Sequence, residues 1–533
     1  MKHILNYFQR FLGILWAIGL VGLFLTSYPP FFELTGALVA PFSTLPFLIL
    51  LCLWVIPYIL KRGKLPIESK LLFAFLLFSV IASAHAFYIQ IPTFKEITIL
   101  HQELRAYLTL AIGLSFYFVV SSFPKDQSAL QKAILWINIG GLILVLATLP
   151  QVYYILTKMT EYPKWMYITT DWLTKRTPYF FYVNRVSGYT YEPSWFGHQM
   201  ILFYLPLWLA ASVAKVSTFR FRILNLSLEN ILLILGSIEF FLSAPRISLV
   251  GVLLIGIFLV VMIYRKLVKN LADFMLRLVK RKPTESWQRS IHAVSSLLIL
   301  FCFIIFSMVA FLVILKRDAR MDLFFLHPLA LKDIQGVLSL NETSLLLLAN
   351  QMAFFERAIY WFTGLYVFNQ YPWLGVGLGN AGFFFLEKVP AIGWSSYEIL
   401  QIIYEQVSLP NTKSIFIRLL AETGLVGFSA FMLFLYNLWR SARLLYKSCS
   451  PILRLVALMG QFSLLAFIGE GFSIDSFAMP YVWVFTGLIS AAALIYRQQI
   501  RQAESAGDLP SEKAGKDQAE PEIKLPKRSP TKP

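Results

Sequence analysis

The chain has 533 residues, 57% of them hydrophobic and 14% charged, with a mean hydropathy of +0.65. Long apolar runs recur from end to end, each able to cross a bilayer core of about 30 Å, which excludes a soluble globular fold. The formal net charge of +18 points to a membrane rather than to nucleic acid, because Lys and Arg gather in short loops at the ends of the apolar runs.

In chain order the runs predict spans near 11–28, 37–60, 70–88, 105–122, 133–156, 194–213, 226–243, 247–264, 292–315, 415–437, 453–473 and 478–496. Lipid offers no partner to a backbone amide, so these must be helices. The expected fold is all-α: a polytopic membrane protein of about twelve transmembrane helices over residues 1–501, with a long outer loop between spans nine and ten. Lys2 and Arg10 precede the first run as in a signal peptide, but no small-residue cleavage site follows, so an uncleaved first helix is expected. Residues 502–533, rich in Lys, Glu, Pro and Ala, read as a disordered cytoplasmic tail.

The basic loops orient the chain. Lys61, Arg62 and Lys64, then Lys125 and Lys132, then Lys215, Arg220 and Arg222 fall on one side, joined by the stretches Arg265 to Arg289 and Arg440 to Arg454. This places both termini in the cytoplasm. The stretch from Leu267 to Arg281 is basic and amphipathic and is expected to lie along the inner leaflet. Two large outer loops, 157–193 and 316–414, and a tight outer turn at Ala244-Pro245-Arg246 remain as places for chemistry. Within the second loop, the apolar run from Leu345 to Phe368 reads as a helix packed over the bundle with Arg357 facing inward, since as a span it would leave Glu356 and Arg357 in mid-membrane.

Five groups of residues stand out. Glu192 precedes Pro193, which suits the first turn of a helix. It is either a helix cap favoured by the dipole, or a base or orienting group for a sugar hydroxyl, with Arg185 nearby for phosphate. Arg246 sits in a very tight turn, paired with Glu239 or serving as an anion ligand. Arg357 and Trp361 are four apart and share a helix face. The run Gly375-x-Gly377-x-Gly379-Asn380 permits close backbone approach, to a ligand or to packed protein. Lys413, flanked by Asn411, Thr412 and Ser414, is an interfacial snorkelling lysine, a phosphate contact or a base of lowered pKa.

Cys52, Cys302 and Cys449 offer neither metal spacing nor a disulfide set. His85, His101, His198 and His327 stand apart from one another and from any ligand-spaced carboxylate, so no metal is expected. No Walker motif, nucleophile elbow or dinucleotide fingerprint is present.

The ordered set Arg185…Gly188-Tyr189…Tyr191-Glu192-Pro193-Ser194, Ser243…Arg246, Arg357…Trp361 with Pro372-x-x-Gly375-x-Gly377, and Asn411…Ser414…Glu422-Thr423-Gly424-x-x-Gly427 resembles the O-antigen ligase and O-antigen polymerase superfamily of bacterial membrane glycosyltransferases. The resemblance spans about Leu100 to Leu494. It implies transfer of a glycan from undecaprenyl diphosphate on the outer face of the plasma membrane, without nucleotide sugar, metal or other cofactor, in cell-surface polysaccharide biosynthesis. The acceptor is lipid A core for ligases and another lipid-linked glycan for polymerases. It also implies that Arg246 and Arg357 hold the diphosphate. From the residues themselves, Arg185, Trp361 and Asn411 are further candidate substrate contacts, and Glu192 and Lys413 the candidate catalytic residues, with Glu192 as the base. Ligases carry a histidine where this chain has Lys413, so a polymerase is favoured. A ligase proper and a twelve-span flippase of lipid-linked saccharide are the alternatives, the latter disfavoured because the charged candidates gather at helix ends rather than at the midplane, with Arg418 and Glu470 as the main exceptions.

Overall fold

The computed structural model describes residues 2–505 apart from 36, 160–161, 176–184, 220, 244, 279–283, 318–330, 353 and 406–408. Most of the predicted tail, Asn184, Arg220, Ala244, Arg320 and His327 therefore lie outside the described residues. Among the described residues the architecture is all-α apart from one two-stranded hairpin, Arg222–Ile223 with Leu226–Ser227.

The long helices are α1 (Lys2–Val21), α2 (Thr44–Leu60), α3 (Ser69–Ala86), α4 (Ile99–Ser122), α5 (Gln127–Leu156), α6 (Pro193–Ala214), α7 (Leu228–Ser243), α8 (Arg246–Leu278) and α9 (Glu285–Arg317). After them come α10 (Glu342–Gln351), α11 (Phe355–Gln370), α12 (Ile415–Tyr446), α13 (Pro451–Glu470) and α14 (Pro480–Ser505). Their starts follow from local chemistry. The Thr98 side chain accepts from the His101 amide, Asp126 from Ala129 and Ser414 from Ile417, each satisfying an otherwise orphaned first-turn donor. Pro193 and Pro451 occupy first-turn positions where a missing amide costs nothing.

Ten described helices are long and apolar enough to cross a membrane. Two of the twelve expected spans fall short of that length: the apolar helix Thr44–Leu60 and the 16-residue α7. At 1.5 Å per residue α7 is about 24 Å long, less than a bilayer core.

Helix α13 is the axis of the bundle, touching α6, α8, α12 and α14, while α12 packs on α3 and α14 on α4. The apolar windows of α6, α13 and α14 are 83% buried, against 17% and 11% in α8 and α9, so the last two form a hairpin on the outside of the bundle. Both run to 33 residues, about 50 Å. The basic stretch from Leu267 therefore extends α8 unbroken to Leu278, rather than forming a separate helix along the leaflet.

The apolar run expected as one helix from Leu345 to Phe368 is two. α10 ends at Gln351, the chain turns through Met352 and Phe354, and α11 begins at Phe355 and packs along α12.

The glycine run has a definite partner. α12 is broken at Gly424, whose backbone is left-handed (φ 61°, ψ −169°), and the segment 371–380 is laced into the break. The amides of Val376 and Gly377 donate to the carbonyls of Ala421 and Glu422 at 3.0 and 2.9 Å; those of Leu425 and Val426 donate to Pro372 and Trp373. Non-helical backbone inside a spanning helix is tolerated when its polar groups are satisfied in this way. Gly375, Gly377 and Gly379 all have positive φ, and a Cβ on Gly375 would lie 2.5 Å from the Glu422 carbonyl carbon. The run is a packing device against α12, not a phosphate cradle, because the Val376 and Gly377 amides are already used.

Candidate active site

Four antiparallel elements bring their ends together. α6 and α8 start here, α7 and α13 finish here, and the loop after α13 reaches the start of α12, where Ser414 Oγ donates to the Gly471 carbonyl at 2.9 Å. Between them is a cavity of about 220 Å³ lined by Arg185, Glu192, Pro193, Ser194, His198, Pro245, Arg246, Ile247, Ser248, Phe354, Arg357 and Ser473. Four of the seven residues singled out from sequence meet in it: Glu192, Arg185, Arg246 and Arg357.

Each arginine is positioned by a backbone carbonyl. Arg185 Nε donates to Ser243 at 2.8 Å, Arg246 Nη1 to Met352 at 2.6 Å and Arg357 Nη1 to Ser473 at 3.4 Å. The Arg246 guanidinium also lies 4.9 Å from the centre of the Phe354 ring, a contact that favours a cation. A guanidinium carries five N–H donors, so a bond to one carbonyl helps fix its direction while using only one of them.

Three helix N-termini open on the cavity: α6 through Glu192, Pro193 and Ser194, α8 through Arg246, Ile247 and Ser248, and α11 through Phe354 and Arg357. First-turn amides and aligned dipoles favour an anion at such a place. Three arginines against one glutamate lean the same way. The Ser248 hydroxyl is buried and without a hydrogen-bond partner among the described residues, a donor available to an oxyanion. Gly197 makes the junction possible, since a Cβ there would lie 2.5 Å from Pro245 Cβ and 3.2 Å from Ser248 Oγ.

Glu192 is the N-cap of α6, as its place before Pro193 predicts, but its carboxylate does not cap the helix. It accepts instead from Ser194 Oγ in a close hydrogen bond, which leaves its other oxygen for the cavity. Glu239, the expected partner of Arg246, is fully buried in α7 with neither carboxylate oxygen hydrogen-bonded among the described residues. The Arg246–Glu239 pair is not formed.

The other three candidates are elsewhere. Lys413 has a left-handed backbone (φ 51°) and its Nζ lies 5.5 Å from the centre of the Tyr360 ring. Burial, with the Glu398 carboxylate that the Tyr360 hydroxyl bonds at 2.9 Å, pushes that phenol well above its ordinary pKa. Asn411 is exposed and spends its Oδ1 on the Lys413 amide at 2.9 Å, holding the turn. Trp361 packs edge-on against Phe472, with centroids 5.5 Å apart and a buried indole N–H that finds no partner among the described residues. It wedges the loop carrying Ser473 rather than lining the cavity.

Two groups in or behind the cavity were not expected. His198, one helical turn beyond Ser194, is 3% exposed and its Nδ1 is hydrogen-bonded to Glu470 Oε2, a residue 272 positions away at the end of α13. Its Nε2 faces Ser473 Oγ at 3.5 Å. The sequence signal was Glu470 itself, an ionisable group in an apolar helix; its partner was not legible. Among the described residues no three His, Cys, Asp or Glu side chains are gathered where they could hold a metal ion.

Residues 231–432 match the Wzy_C family, described as O-Antigen ligase. The match takes in Arg246, Arg357 and the break in α12 but not Arg185 or Glu192. No curated protein matches the chain.

Proposed function

We propose that this chain, which carries an O-antigen ligase domain over residues 231–432, transfers the glycan of a lipid-linked diphosphate, undecaprenyl diphosphate by resemblance, to an acceptor hydroxyl, in cell-surface polysaccharide biosynthesis. The observation that carries the reading is the convergence of Arg185, Arg246 and Arg357, from three separate stretches of chain, on one cavity opened by three helix N-termini and faced by Glu192. Guanidinium groups bind phosphate through paired donors and remain charged. Charge fixed where a diphosphate leaves is the electrostatic help this reaction needs.

The cavity's 220 Å³ is about seven waters' worth at ~30 Å³ each. That is on the scale of the diphosphate; sugar, lipid and remaining glycan extend outside. Within it the arginines and Ser248 hold the diphosphate, and Glu192, braced by Ser194, receives the acceptor hydroxyl. Lys413, over Tyr360 and outside the cavity, contacts the glycan or its phosphate at the mouth and does no proton chemistry. The excess of basic residues in the loops at the opposite side supports a site on the outer face of the plasma membrane with both termini inside.

A polymerase is favoured over a ligase, because Lys413 occupies the place where the resemblance calls for the ligase histidine. The test is a transfer assay on purified protein, given a lipid-diphosphate oligosaccharide as donor and, as acceptors, either a second copy of it or lipid A core. A ladder of longer lipid-linked chains is the expected product. Label moving to lipid A instead makes it a ligase, and no transfer to either acceptor defeats the reading.

A further inference from the structure

We infer that His198, held by Glu470, is the group that takes the proton from the acceptor hydroxyl. The proposal rests on the glycan-transfer reading above. His198 is four residues after Ser194, so both lie on the face of α6 that lines the cavity. A π-helical turn, Met200–Tyr204, follows directly, a distortion often found beside functional residues.

The ring's two nitrogens have different surroundings. Nδ1 is committed to Glu470, which is completely buried and whose other oxygen, Oε1, has no hydrogen-bond partner among the described residues. With its proton on Nδ1, the neutral imidazole presents the Nε2 lone pair toward the cavity, where among the described residues the distant Ser473 hydroxyl meets it at 3.5 Å. A buried carboxylate behind an imidazole fixes tautomer and ring direction and stabilises the imidazolium that forms. The groups around the ring are Glu192 and Ser194 on its own helix, Glu470 and Ser473 from α13 and its loop, Arg246 from α8, Arg357 from α11, and Arg185 across the cavity. The cationic ones face the departing diphosphate, so the one carboxylate committed to the ring is Glu470.

The step balances without an added reagent. The acceptor oxygen bonds to the anomeric carbon as its proton passes to His198 Nε2. The bond from that carbon to the phosphate oxygen breaks, and the lipid diphosphate leaves with the electron pair. The proton is then lost to water. Glu192 orients the hydroxyl and His198 receives its proton.

The experiment is the dependence of kcat/KM on pH for transfer by the full-length protein and for His198→Gln. Wild type should lose activity at acid pH with a slope of one. His198→Gln should be down roughly 100-fold or more, as removal of a general base predicts, lack that acid limb, and keep wild-type donor affinity and melting temperature. Glu470→Gln, which keeps the hydrogen bond but not the charge, should fall in between. His198→Gln within threefold of wild type, or an acid limb that survives in it, overturns the proposal. A variant that is slow only in proportion to lost folded protein makes His198 a packing residue and also overturns it. A wild type that transfers to no acceptor removes the reading beneath it, and the proposal with it.

Discussion

Arg246 Nη1 donates to the carbonyl of Met352 at 2.6 Å, a bond spanning 106 positions that ties the turn between α7 and α8 to the break between α10 and α11. That break fixes where α11 starts and so where Arg357, in its first turn, is aimed. The two arginines are therefore one device. Arg246→Lys and Arg357→Lys should each lower transfer roughly 100-fold, since loss of a paired charged contact is on the order of 2–3 kcal/mol and 1.36 kcal/mol is tenfold in rate. The double variant should lose clearly less than the product of the singles, which a double-mutant cycle on kcat/KM measures. Strict additivity contradicts the coupling.

Glu192 faces the same space as the three arginines and is its one lining carboxylate among the described residues. Glu192→Gln should lower kcat by about tenfold to a hundredfold by misplacing the hydroxyl. Donor affinity should stay the same or tighten, because a negative charge beside the diphosphate is removed. Weaker donor binding in that variant would contradict the assignment to the acceptor side.

Gly424 combines a left-handed backbone with no room: a Cβ would lie 2.2 Å from the Trp373 carbonyl oxygen. Gly424→Ala should destabilise the protein by at least about 1–3 kcal/mol from backbone strain alone, lowering both melting temperature in detergent and membrane abundance. Gly256, on the outer hairpin, has nothing within 4 Å of its Cβ position, and Gly256→Ala should melt with wild type.

Lys413 separates two roles by kinetics. It lies outside the cavity and over the Tyr360 ring, and the role proposed for it is binding, not reaction. Lys413→Gln should raise KM severalfold with kcat within about threefold, the signature of lost uniform binding. A fall in kcat at unchanged KM would return it to the reaction.

What the sequence made legible follows from how local each signal is. Glu192 before Pro193, and Arg246 in a turn too tight to need a cation, announce themselves by immediate neighbours, and both line the cavity. The glycine run announced close approach but not what approaches; the partner proved to be the broken helix around Gly424. Lys413 and Asn411 lie in a left-handed turn whose direction residue types alone do not give. His198 was invisible because its meaning comes from Glu470, 272 positions away, and such a contact exists only once α6 and α13 are packed. The expected spans at α2 and α7 are shorter helices than their apolar runs suggested, because hydropathy marks an apolar run without fixing its helical length.

The most direct test of the central claim is the affinity of the purified protein for a lipid-diphosphate glycan against the matching monophosphate, in wild type and in Arg246→Ala/Arg357→Ala. A diphosphate preference in wild type that disappears in the double variant, with melting temperature unchanged, is the predicted result. Equal binding of both lipids by wild type, or a preference that survives without the two arginines, would contradict it.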